Sequence, residues 1–180
     1  MWIQYDRFGD VHDRYCLTLG RAMLLMQSFE DMCKRTLIWW NAAKRISEGE
    51  EVDLQGMALH PECFMEKFLG IALEKLTKTH KISQDDAQIL RDAKDARNYV
   101  AHEATCPCFL PEQAAQAIKD EMVTLDAGVQ SLARGHNLLA CWAYEFEEGE
   151  PRPFTLSQVY PQEVARWVMA PIRDALQDGQ

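Results

Sequence analysis

Hydrophobic residues along this chain recur in alternating steps of three and four, the mark of buried helix faces, and no pair of segments reads convincingly as strands. From about Asp13 to Ala43, the positions Leu19, Met23, Met26, Cys33, Leu37 and Trp40 form one such stripe, with Glu30 inside it. The stretch SEGEEVDLQG breaks the pattern with glycine and acidic residues and reads as a solvated loop. A second helix is predicted to open near HPEC, where Pro61 suits a first turn and Glu62 favours the positive end of the helix. Met65, Phe68, Leu69, Ala72 and Leu76 supply its inner face, and it ends around TKTHK. Ser83 ahead of QDD is an N-cap with acids in the first turn, opening a third helix that TCPCFLP terminates.

Pro111 opens a fourth helix, long and regular, on Ile118, Met122, Leu125, Val129, Leu132, His136 and Leu139. His136 in that stripe reads as a hydrogen-bonded core histidine rather than a ligand. EEGEPRPFTLSQVYP is irregular, and PQEVARWVMAPIRDAL closes the chain as a short helix, with a break or kink expected at Pro171. The expected fold is all-α: a four- to five-helix bundle over residues 1–145, then a C-terminal loop and helix over 146–180 that pack on the bundle or on a partner.

The 180 residues suffice for one domain with a real core, and no apolar run approaches the roughly 18 residues needed to span a bilayer. MWIQYDRFGD lacks the basic and apolar regions of a signal peptide, so a cytoplasmic location and no membrane contact are expected. Six cysteines in such a setting behave as small reduced hydrophobes. Cys106 and Cys108 follow His102 and form a conceivable metal clip, but the spacing matches no paired zinc motif and supplies no fourth ligand nearby. Neither a metal nor a cofactor is therefore expected. The net charge of −9 argues against coating nucleic acid by bulk attraction, yet it permits a small basic cleft on an acidic body.

Two charges stand out of place. At about 100° per residue, Leu90, Ala93, Val100 and Ala104 cluster on one side of the third helix, with Arg97 at their edge. Asn98 and His102, four apart, stack on a more polar face, about 140° around the axis from Arg97 to His102. A carboxylate buried without a counter-charge costs several kcal/mol or takes up a proton, as a rough scale. Glu30 and Arg97 therefore suggest each other as partners. On periodicity alone, that pair reads as an internal brace between two helices.

The segment RNYVAH, residues 97–102, resembles the Arg-x4-6-His motif of the HEPN superfamily, including its frequent Asn after the Arg. The arrangement over roughly residues 13–145 is similar as well: a long first helix marked by an acid, a partner, the motif helix and a long fourth helix. What the resemblance implies is a metal-independent endoribonuclease of toxin or antiviral-defence type, cleaving RNA at a composite site between two copies. Arg97 and His102 are then the catalytic pair, supported by Asn98, Glu30 and Glu103. An antitoxin or other regulatory protein is an expected partner. The residues HEA at 102–104 depart from the HxY ending of one toxin subgroup, since Ala104 stands in place of the modifiable Tyr.

The chemistry suits these residue types. RNA carries its own nucleophile in the ribose 2′-hydroxyl, a histidine titrates near neutrality, and an arginine stabilises charge developing on phosphate. The rival reading is a non-catalytic HEPN-like binding or adaptor module, which the acidic composition favours. Exposure separates the two: an enzyme needs His102 and part of Arg97 open, whereas an adaptor can bury Arg97 fully against Glu30.

Overall fold

The structure, a computed structural model, describes residues 10–59, 69–79, 82–105, 114–151, 153 and 158–177. Six α-helices account for nearly all of them, and no strand occurs among the described residues. They are α1 (Asp10–Ser47), α2 (Leu54–Leu59), α3 (Leu69–Thr79), α4 (Gln84–His102), α5 (Ala114–Glu148) and α6 (Tyr160–Gln177). The all-α expectation holds. Pro61, Glu62, Met65, Phe68 and Pro111, expected at helix starts or on inner faces, lie outside the described residues.

The two long helices run side by side in the same direction. Ser28 of α1 meets His136 of α5, and Trp40 meets Trp142 with ring centroids 5.0 Å apart. α4 runs opposite to both, since Tyr15 reaches Ala104 while Glu30 reaches Arg97, and Tyr99 reaches Glu121. Gly135 marks the point where all three converge. A Cβ there would lie 2.4 Å from the Cβ of Ala93 and 3.0 Å from the ring of Phe29, so only a glycine allows this approach.

The core follows the helical period: in α1 it keeps Leu19, Met26, Cys33 and Leu37 of the stripe read in the sequence, while Ala22 and Phe29 take the places of Met23 and Glu30. Tyr15, Leu19, Ala22, Met26, Phe29, Cys33 and Leu37 are among the buried positions there. Met23 is 41% exposed, and Glu30 flanks Phe29 at the edge of the core. Both readings fit a three–four alternation, and the large aromatic Phe29 decides between them by burying its ring fully. His136 similarly sits at the edge of the α5 stripe. Its Nε2 is 2.9 Å from the Ser28 hydroxyl, and its ring stacks on Tyr160.

Two local expectations are corrected. VDLQG belongs partly to a helix: α2 begins at Leu54, and the Asp53 carboxylate accepts from the backbone N–H of Gly56 at 2.7 Å. Met57 then packs on Ile38 and Ala42 of α1, with Trp39 and Val52 around them. At the other end of the chain, the break among the two outcomes expected at Pro171 does not occur, since α6 continues through it. Proline has no N–H to give to the carbonyl four residues earlier, which is that of Trp167. The guanidinium of Arg21 from α1 supplies the missing donor, with Nη1 2.6 Å from that carbonyl and Cζ 4.9 Å from the Trp167 ring centroid. Val168, Met169 and Ile172 are completely buried, so α6 shares the core of α1 and α5.

Candidate functional site

α4 forms as its sequence suggests. Ser83 has extended backbone and its hydroxyl accepts from the N–H of Asp86 at 3.0 Å, with Asp85 and Asp86 in the first turn. Ala87, Leu90, Ala93, Ala96 and Val100 are buried, and the small side chains among them let α4 sit close to α1 and α5. Arg97 follows Ala96 at the rim of this face and extends across to α1.

There it meets Glu30. Arg97 donates to Oε2 of Glu30 through Nη2 at 2.8 Å and Nε at 3.2 Å. The other carboxylate oxygen accepts from Lys34, one turn further along α1, at 2.7 Å. Side-chain exposure is 25% for Arg97, 21% for Glu30 and 14% for Lys34, so the cluster lies half-buried with its outer edge open. Burial alone would raise the Glu30 carboxyl, but hydrogen bonds and charge from Lys34 and Arg97 outweigh it and hold the group below the usual carboxylate range. Two cations against one carboxylate leave a net positive charge on an acidic protein. Lys34 was not singled out in the sequence, although its position four residues after Glu30 is the signal for an ion pair along a helix.

The remaining site residues lie along the exposed side of the same helix. Asn98 is exposed, and its side-chain carbonyl accepts from Nη1 of Arg97 at 3.4 Å. His102 is exposed and is the last residue of α4. Its backbone is nevertheless pinned. The N–H groups of Glu103 and Ala104 both donate to the carbonyl of Tyr99, at 2.8 and 3.1 Å, and the Tyr15 hydroxyl donates to the carbonyl of Ala104 at 2.8 Å. Glu103 is exposed at the C-cap. Ala104 is fully buried.

Below His102, Tyr99 donates its hydroxyl to Glu121 of α5. Burial, that hydrogen bond and the surrounding carboxylates push the Tyr99 phenol far up, so it stays protonated as a donor. Arg97 and His102 are five residues apart on one helix, which separates their Cα atoms by about 7.5 Å along the axis and about 140° around it. The structure therefore joins Arg97 to Glu30, Lys34 and Asn98, and leaves His102 on a neighbouring surface. Cys106 and Cys108 lie outside the described residues, and among the described residues no group of three His, Cys, Asp or Glu side chains is placed to hold a metal ion. Among the described residues no helix is long and apolar enough to cross a membrane. No family model matches the chain, and neither a curated protein nor a solved structure matches it.

Proposed function

We propose that the chain is a metal-independent endoribonuclease of the HEPN type, acting at a site completed by a second copy. One observation carries this reading. Arg97 is oriented by a half-buried carboxylate while its outer edge stays open, on the same helix as an exposed histidine. A purely structural brace would favour complete burial of the guanidinium against Glu30. The 140° offset between Arg97 and His102 supports pairing with a second copy, because one helix alone brings the two side chains to a single phosphate with difficulty.

In the proposed reaction, the ribose 2′-oxygen attacks the adjacent phosphorus and passes its proton to the His102 imidazole. The P–O5′ bond breaks, O5′ takes a proton from the second copy's imidazole, and the products are a 2′,3′-cyclic phosphate and a 5′-hydroxyl. Arg97 and the net positive charge of its cluster stabilise the five-coordinate phosphate.

The test is cleavage of cellular RNA by purified protein, wild type beside His102→Ala, with and without EDTA. Loss of a general acid–base is expected to lower the rate by about 100-fold or more. EDTA should leave the rate unchanged, and light scattering should report a dimer. Cleavage by His102→Ala at the wild-type rate, or none by either protein, would replace this reading with the non-catalytic binding module that the net charge of −9 favours.

A further inference from the structure

Helix α6 lies along a furrow between α1 and α5 without filling it. On α1, Arg21 and Ser28 face this side, the first bonded to the Trp167 carbonyl of α6 and the second to His136 of α5. Met32, Arg35 and Trp39 continue that stripe beyond Ser28 in steps of four and three. On α5, Ala143 and Glu147 follow His136 in the same way. α6 begins level with His136, where Tyr160 stacks on that ring. Beyond this point a groove of about 330 Å³ stays open, bordered by these continuing residues and by Phe146. Phe146 is 50% exposed, and the half-buried Trp39 and Trp40 share the groove with it. An apolar surface of this kind with a polar rim marks a docking site.

The rim here is acidic. α1 and α5 run parallel with Trp40 beside Trp142, so they end close to one level, at Ser47 and Glu148. The negative ends of two long helix dipoles therefore come together. Residues 48–53 add four exposed carboxylates and residues 145–150 add four more, so twelve positions hold eight of the chain's 28 acids. Nearby cations are already engaged: Lys44 with Glu48, Arg45 with Glu50, and Arg35 in the groove with Asp31. α5 has no basic residue in its last turn. Carboxylates at a helix C-terminus oppose the dipole, and positive charge brought from outside relieves both.

We infer that this groove docks a basic amphipathic helix of a partner protein, its apolar residues against Phe146, Trp39 and Trp40 and its Lys and Arg side chains over the acidic rim. The furrow already seats one helix, α6, and a second fits end to end with it. A second copy of this chain would bring the same carboxylates, and nucleic acid or an anionic membrane would bring phosphates, so charge repels all three. A small cation would answer the carboxylates and leave the aromatic rings in water. The groove shares no residue with the cluster around Arg97 and His102, and its occupancy is read without any RNA cleavage.

Fluorescence anisotropy with the full-length protein tests this, at about 0.15 M salt. The probe is a labelled synthetic helix about five turns long, leucine on one face and lysine on the other. Two control peptides carry glutamate in place of the lysines, or serine in place of the leucines. The leucine–lysine helix is expected to bind at about micromolar concentration, and about tenfold or more tighter than either control. Phe146→Ala should weaken it about tenfold, and so should Glu147→Lys combined with Glu148→Lys, a change that suits a helix C-terminus and keeps the fold. Val123→Ala, at a position 78% exposed near the start of α5, and Asp174→Lys, exposed near the end of α6, should leave it unchanged. No binding by the leucine–lysine helix, equal binding of the serine peptide, or tighter binding of the glutamate peptide would each overturn the inference. Equal losses in the groove variants and in the two distant ones would overturn it too.

Discussion

Helix α1 meets α4 through Arg97 and meets α6 through Arg21, and the two guanidinium groups find different kinds of acceptor. Arg97 pairs with a carboxylate, which is itself shared with Lys34 in a half-buried setting. Arg21 pairs with a backbone carbonyl that Pro171 has left without its helical donor, and lies over the Trp167 ring. The first contact depends on an ionised group whose removal strands two cations. The second uses acceptors with no charge to lose. Contacts that look alike as bridging arginines should therefore differ in size and in their response to pH.

The largest effect is expected from Glu30→Ala. Breaking a buried pair from one side costs about 3–5 kcal/mol, and the partial exposure of this cluster brings the expectation to about 2–3 kcal/mol. Urea unfolding followed by circular dichroism measures it. Glu30→Gln, which keeps an acceptor, should cost less. If Glu30→Ala unfolds at the wild-type midpoint, the cluster is not a stabilising contact and the contrast with Arg21 disappears.

Gly135→Ala comes next, because it probes the packing that allows Arg97 to reach α1. Alanine gains about 1 kcal/mol in helix propensity, but its Cβ would collide with Ala93 and Phe29, and overpacking of this kind costs up to about 3 kcal/mol. A net loss of about 2 kcal/mol is expected, read from the same urea curves. A stabilised variant would mean that α4 and α5 separate easily and that the close approach is dispensable.

Arg21→Ala should cost about 1 kcal/mol, the scale of one carbonyl hydrogen bond with a cation–π contact in a partly solvated place. Acid sharpens the comparison. The folded Glu30 carboxyl lies below its ordinary value of 4.5, so it binds a proton less readily than in the unfolded chain. Its stabilisation is complete above pH 4.5 and is lost as the pH falls through the lower, folded value. The stability gap between wild type and Glu30→Ala should therefore shrink between neutral pH and pH 3, while the gap for Arg21→Ala stays constant. Equal shrinkage of both gaps would show that general acid expansion, rather than this carboxylate, governs the low-pH behaviour.

The Glu30–Arg97 contact was legible because two opposite charges each sat near an apolar stripe, where neither is stable alone. The register of α1 was less so, since Met23 and Ala22, or Glu30 and Phe29, serve a helical alternation equally well until something packs against them. α2 was hidden for a different reason: six residues including a glycine carry little helical propensity, and the segment is held by the Asp53 cap and by Met57 against α1. A break or kink was expected at Pro171, and the donor that lets the helix continue there comes from Arg21, 150 positions away in the chain. The groove beyond Tyr160 left no local trace at all. Its α1 residues continue an ordinary helical stripe, and only the point where α6 begins leaves that part uncovered.

Cys33 offers a use that follows from its place beneath the Glu30 cluster. Its side chain is completely buried, and burial together with the nearby carboxylate pushes the thiol strongly up, away from the reactive thiolate. An alkylating reagent meets Cys16 at the surface, but it can reach Cys33 only when the core around it opens. Modification of Cys33 thus works as a clock for opening of the native bundle. Its rate, followed by mass spectrometry, times the spontaneous opening of the core beneath the cluster that sets Arg97 in place.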